Sequence, residues 1–173
     1  GTKGAVKTLL PGLVGDCGAE AVIMNALHLC IRPGADVIES MGGLHRFTGY
    51  DMTLFTDSGG FQLIRDFNVS VSDDAITYRS PLDGSRRDMT PEDSMDIQAR
   101  IGADVAMALD ECPRHGCGHE ELGTAVGRTV EWARRCRERH DSLGTGQALF
   151  AIVQGGLDER LRRQCTQKLS DMG

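Results

Sequence analysis

The sequence predicts an α/β fold: four successive βα units, about half of a (β/α)8 TIM-type barrel, with a β-hairpin inserted after the second strand. Three observations carry this. Short, nearly unbroken apolar runs alternate with helix-like segments, the pattern of a parallel sheet covered by helices. Each run closes on a polar residue: Asn25, Asp57, Asp110 or Gln154. Two of these lead into Gly-Gly, directly in QGG and one residue later in DSGG. Polar groups gathered at one rim of parallel strands describe the active face of a barrel or of an open α/β sheet. A complete flavodoxin-like domain carries the same local signals. Half a barrel is the preferred reading, and it leaves two sheet edges open.

The elements follow in order. AEAVIMN (19–25) reads as a buried strand, and IRPGADVIESMGG (31–43) as a helix, with Pro33 at its start and Gly42-Gly43 at its stop. DMTLFTD (51–57) is the second strand. ITYRSPLDGSRRDMT (76–90) is a hairpin turning at Asp83-Gly84. Thr90 then suits an N-cap, Pro91 the first helical position, and Glu92 and Asp93 the anion-favouring first turn. Met95, Ile97, Ala99 and Ile101 alternate rather than follow a helical period, so the caps carry this helix, and Gly102 ends it. ADVAMALD (103–110) is the third strand, and a long helix spans about Glu120 to His140. ALFAIVQGG (148–156) is the fourth strand, and LDERLRRQCTQKLSDM (157–172) the last helix.

With 40% hydrophobic and 25% charged residues, the composition is that of an ordinary globular protein. No apolar run is long enough for a membrane span, and no leader of the secretory kind is present. Six scattered cysteines without a disulfide-scaffold rhythm fit reduced thiols in a cytoplasmic protein. The chain starts with Gly1 and stops at Gly173 just after a helix-like segment, so a piece of a longer protein is expected. A net charge of −6 argues against a surface that coats nucleic acid generally. The arginine-rich segment from Arg128 to His140 is read first as a solvated helix face, and second as a phosphate contact.

Two acids and two amides at one rim suit a planar, hydrogen-bonding ligand. A carboxylate accepts two parallel N–H bonds from an amidine-like edge, such as N1–H and the 2-amino group of guanine. Gln154 can donate to a carbonyl like O6, and Phe61 can stack on the ring. The same groups also serve a sugar or an amide substrate, and a strand-end Asp is often only a turn or capping residue. His28 is either a base or ribose contact or a structural histidine. Cys112, His115, Cys117 and His119 stand at loosely metal-like spacing, but they crowd one loop, unlike the two separated pairs of a zinc site. No Walker loop, Gly-x-Ser-x-Gly elbow or HExxH is present.

In order, GTKGAVK, NALHLCIRPG, GGLHRF, FTDSGGFQ, RSPLDG, TPEDSMDIQ, GADVAMALDEC, WARRC and ALFAIVQGG resemble the tRNA-guanine transglycosylase family over essentially the whole chain. The resemblance implies a (β/α)8-barrel enzyme that replaces a tRNA guanine with a 7-deazaguanine precursor of queuosine. A covalent tRNA–aspartyl intermediate divides the substitution into two steps. By motif it implies that Asp57 is the acid/base carboxylate and that Phe61 stacks on the exchanged base. It further implies that Asp110 accepts the N–H edge of the base, that Gln154 contacts its carbonyl side, and that Cys112 lies beside that pocket. Ser58, Gly59, Gly60, Gly155 and Gly156 complete the base site, the glycines letting the base lie close to backbone, and Asn25 and His28 line the ribose side. tRNA, guanine and 7-deazaguanine bases, a homodimer and a structural zinc are implied for the intact protein.

The departures are specific. The family's Thr-Tyr is Ala26-Leu27 here, which puts ribose contacts there in question. After Gln62 the chain reads LIRDFN where the family has apolar residues and Ser. The nucleophilic aspartate and the Cys-x-Cys-x2-Cys…His zinc ligands belong to later strands and have no counterpart in these 173 residues, so the chain alone is expected to be inactive. A noncatalytic tRNA-binding paralogue, an archaeosine-type enzyme, and another barrel enzyme acting on a purine or sugar are the alternative readings.

Overall fold

The computed structural model describes residues 2–67 and 69–172, with the side chain of Asp66 left aside. Gly1 and Gly173, the chain's first and last residues, and Asn68, the end of LIRDFN, lie outside the described residues.

After a short helix α1 (Pro11–Asp16), strand β1 (Ala21–Asn25) leads into three short helices, α2 (Ala26–Ile31), α3 (Ala35–Ser40) and α4 (Leu44–Thr48). The helix expected between Pro33 and Gly42-Gly43 is α3, which starts two residues after Pro33, and α2 and α4 flank it as additional short helices. Pro33 has no N–H to give a helix interior, and it lies between α2 and α3. Gly34 at φ 111° caps α3 instead, and Gly43 at φ 91° caps α4. Strand β2 (Thr53–Asp57) and helix α5 (Gly60–Asp66) precede the inserted sheet of β3 (Ser70–Val71), β4 (Ile76–Arg79) and β5 (Arg86–Met89). The expected hairpin is thus present and carries a third strand. Its turn holds Gly84 at φ 73°, a conformation that favours glycine.

Helix α6 (Pro91–Ile101) has the caps read from its sequence. Thr90 and Asp93 form a reciprocal capping box, and Gly102 closes the helix in the left-handed conformation. Strand β6 (Val105–Met107), helix α7 (His119–Leu143), strand β7 (Ala148–Phe150) and helix α8 (Glu159–Ser170) complete the chain.

The main sheet is wholly parallel in the order β1-β2-β6-β7. Its strands therefore lie in sequence order, with no reversal of the kind that marks a doubly wound flavodoxin-like sheet. The two faces of the sheet differ. Val22, Met24, Leu54, Thr56 and Ala106 are buried on one, whereas Ile23 and Phe150, on the other, are 54% and 50% exposed. Phe55 and Phe150 meet edge-to-face on that open side.

Buried Gln98 ties α6 to the sheet. It accepts from Thr56 Oγ1 at 2.9 Å and from Met107 N at 3.0 Å, and donates to Met107 O at 2.8 Å. A polar side chain this deep is tolerable because its groups are paired. Trp132 on α7 is fully buried with Leu63, Tyr78, Met95 and Leu109 around it, and its Nε1 donates to Asp73 O at 2.7 Å. That bond fastens the inserted sheet to the helical layer.

Candidate active site

The carboxyl ends of β1 and β2 bring two of the four rim residues side by side: Asn25 and Asp57 are register partners. Asn25 also caps α2, its Oδ1 accepting from His28 N at 2.8 Å. Its Nδ2 is buried without a completed hydrogen bond. Asp57 Oδ1 accepts from Gly59 N at 3.1 Å. Burial pushes the Asp57 carboxyl above its ordinary value, opposed by the Asn25 side chain, the Gly59 N–H and the nearby His28. The orphaned Asn25 amide therefore stands close enough to Asp57 to act on it without satisfying it.

The other two rim residues meet directly. Gln154 Nε2 donates to Asp110 Oδ2 at 2.7 Å, although Asp110 and Gln154 both lie beyond their short strands. Asp110 is 9% exposed, and burial raises its pKa, with Gln154 offering the main opposition. Cys112 lies alongside; burial, then the Asp110 charge, pushes its thiol up. A cavity of about 510 Å³ opens beside this pair, lined by Cys112, Arg114, Cys117, Leu122, Gln154 and Leu157. A larger hollow of about 800 Å³ runs along α8 and shares only Gly156 with the rim. Of the expected site residues, the smaller one is lined by Cys112, Gln154 and Gly156.

The glycines join the two halves of the rim through close protein packing. A β-carbon at Gly59 would stand 2.4 Å from Leu27 Cβ, and one at Gly60 2.9 Å from Asp110 O. At Gly155 it would meet the backbone of α8 at Arg162 N, 2.7 Å away. These positions are bare so that protein, rather than only a ligand, can approach. Gly59 at φ 77° and Gly155 at φ 127° also hold conformations that side chains resist. Ser58 is buried and its Oγ accepts from Gly60 N at 3.2 Å, fixing the turn into α5. Phe61, the second residue of α5, is 43% exposed with the Arg65 guanidinium 5.0 Å from its ring centre.

Ala26 and Leu27 are both buried in the core, so this departure from the family pattern falls on packing positions. The arginine-rich helix is part solvated face and part internal clamp: Arg134 and Arg139 stay well exposed, while Arg128 and Arg135 are shielded. Arg128 pairs with Asp73 and Glu111, Arg134 with Glu131 and Glu138, Arg135 with Glu92, and Arg139 with Asp96. These guanidiniums are committed to carboxylates of the protein itself. Sequence reading missed Glu111, Thr129 and Arg65; only the adjacency of Glu111 to Asp110 was available as a signal.

Among the described residues no three His, Cys, Asp or Glu side chains converge to hold a metal ion. Cys112, His115, Cys117 and His119 do not form such a group. Among the described residues, too, no helix is long and apolar enough to cross a membrane.

A family model described as queuine tRNA-ribosyltransferase matches residues 1–173. A protein of that name from Aromatoleum aromaticum is 41% identical over 177 residues, covering 100% of this chain and 47% of the relative. Others of the same name, from Pelotomaculum thermopropionicum and Dehalococcoides mccartyi, are 42% and 43% identical, with 99% of this chain and 46% and 44% of the relatives covered. The chain spans about half the length of the curated relatives it matches.

Proposed function

Because the chain belongs to the queuine tRNA-ribosyltransferase family, we propose that its rim is the base-recognition side of a tRNA-guanine transglycosylase, which exchanges a tRNA guanine for a 7-deazaguanine precursor of queuosine. The observation that carries this reading is the Gln154–Asp110 contact at 2.7 Å. This contact brings one donor and one acceptor suited to guanine within reach of the same base edge. On binding, Gln154 turns its amide to the O6 side, and the two oxygens of Asp110 accept N1–H and the 2-amino group. Phe61 covers the ring. Asp57, across Gly60 from this pair, is the acid/base group; its raised pKa brings proton uptake closer to working pH. Asn25, with its unsatisfied buried amide, and His28 face the ribose.

On this reading the carboxylate that attacks the ribose C1′ comes from a later strand, together with the zinc ligands. The 173 residues form the first part of a catalytic (β/α)8 barrel. Strand order in sequence and the uncovered face bearing Ile23, Phe55 and Phe150 support closure by further strands. Dimerisation, tRNA binding and a cytoplasmic location belong to the same proposal. The six described cysteines are free thiols. A noncatalytic tRNA-binding paralogue is the weaker reading, since Asp57 and Asp110 are both present and both buried enough to shift.

Calorimetric titration of guanine into the wild-type chain and into Asp110→Asn tests the pocket. The variant should bind about tenfold more weakly or worse, having lost a charged acceptor for two donors. Equal affinity would remove guanine recognition from this site. Separately, base exchange into tRNA by the 173-residue chain alone would refute the assignment of the nucleophile to a later strand.

A further inference from the structure

Helix α7 grips the rim from behind through Arg128, Thr129 and Trp132. Arg128 Nη1 bonds Glu111 Oε2, while its Nε and Nη2 reach Asp73 Oδ1 at 3.1 and 2.9 Å. Thr129 Oγ1 accepts from Glu111 N at 3.1 Å, so the residue after Asp110 is held by backbone and side chain together. Trp132 Nε1 fixes the carbonyl of Asp73, in the β3–β4 turn. The Arg128 and Glu111 side chains are only 13% and 14% exposed, whereas Asp73 is 90% exposed. The well-shielded half of the clamp is therefore the half that touches the rim.

We propose that Arg128 is a positioning residue: acting through Glu111, it holds Asp110 where a ligand meets it and ties the inserted sheet to that pocket. Arg128 suits this because a planar guanidinium presents donors in two directions at once, and a lysine ammonium cannot span both carboxylates in the same fork. Without Arg128, Glu111 is left as a shielded carboxylate without its cation, a state that costs more than the pair itself contributes. Glu111 then turns toward water and takes the peptide next to Asp110 with it. None of the ligand-facing groups changes; only their placement does.

The inference rests on the guanine reading for its ligand but not for its geometry, and the test separates the two. Guanine is titrated into the chain and its Arg128→Met, Arg128→Lys, Glu111→Gln and Arg128→Met/Glu111→Gln variants. Exchange protection of the Gln154 side-chain amide protons is followed by NMR in the same set. Arg128→Met should weaken guanine about tenfold and lower Gln154 protection, with Arg128→Lys recovering part of both. The double variant should be no weaker than the worse single one, because the two residues act as a unit. Arg134→Met, on an exposed ion pair of the same helix, should leave both readouts at wild-type values. A folded Arg128→Met chain with wild-type affinity and protection would overturn the proposal, as would additive losses in the double variant. Should the wild-type chain take no guanine, the base reading fails while the Gln154 protection still decides the role of Arg128. Should Arg128→Met not fold, Arg128→Lys decides it, and unchanged affinity and protection there would overturn the proposal.

Discussion

Gly60 packs on the carbonyl of Asp110 so closely that a β-carbon would stand 2.9 Å from that oxygen and 3.0 Å from Leu109 Cδ1. The first turn of α5 and the segment that follows β6 are thereby in close contact. The acid at Asp57 and the acid at Asp110 share one rigid seam.

Gly60→Ala should therefore act on both acids. The methyl meets backbone rather than a flexible side-chain tip, so relief requires moving the Asp110 loop. We expect a loss of about 1–3 kcal/mol in denaturant unfolding, with weaker guanine binding. Gly123→Ala, in an open position on α7, is the control and should be neutral or mildly stabilising.

Asp110→Asn should stabilise the fold at neutral pH while weakening ligand binding. Burial raises the folded pKa of Asp110. A group raised on folding contributes its stability in full below its unfolded pKa, about 4 for Asp, and loses it as pH rises through the folded value. The wild type minus variant difference in melting temperature should fall as pH rises across that window, then level off. A difference independent of pH would contradict the burial of a charge at this position.

The opposite end of the sheet carries a histidine with the matching sign. His45 donates from Nδ1 to Tyr50 O at 3.0 Å and from Nε2 to Asp104 at 2.9 Å, which requires both nitrogens protonated. The bond to Tyr50 and, less strongly, Asp104 raise its pKa against partial burial. Its contribution is present below the unfolded value of about 6.5 and disappears as pH rises through the folded one. His45→Gln should flatten the stability profile near neutrality, and an NMR titration of the wild-type imidazole should place its midpoint above the ordinary histidine value.

Thr90→Ala removes one arm of the capping box at α6 and leaves the Asp93 N–H without its acceptor. A loss of about 1 kcal/mol is expected in chemical unfolding. Trp132→Phe leaves Asp73 O without its donor and should cost about 1–3 kcal/mol, with the inserted sheet losing exchange protection before the parallel one.

Legibility in the sequence followed the range of the forces involved. Thr90, Pro91, Asp93 and Gly102 act within a few residues of themselves, and α6 has the bounds and caps that they announce. Asp57 and Asp110 were legible because an apolar run points at each. Gln154 was legible by composition, but β7 stops at Phe150, and the amide reaches Asp110 from a loop. Arg134 sits on the solvated face that was expected, but the clamp made by Arg128 was hidden because its partners are distant in sequence, 17 and 55 positions away. The packing of Gly59 and Gly60 was hidden for the same reason, since Leu27 and Asp110 come near only after the strands align. The stop at Gly42-Gly43 was legible, whereas the short helices α2 and α4 on either side of α3 were not, since Gly34 and Gly43 show their positive φ only in the fold.

The order of the parallel sheet has a consequence for how the chain is made. Each strand pairs with the strand before it, so every βα unit released by a ribosome finds its docking edge already in place. Assembly can proceed as growth from one end, without waiting for a distant strand to be inserted in the middle, and the loops closed at each step stay short for a parallel sheet. During that growth β7 is the advancing edge, and the apolar side of Ile23, Phe55 and Phe150 is the surface that folding chaperones would meet.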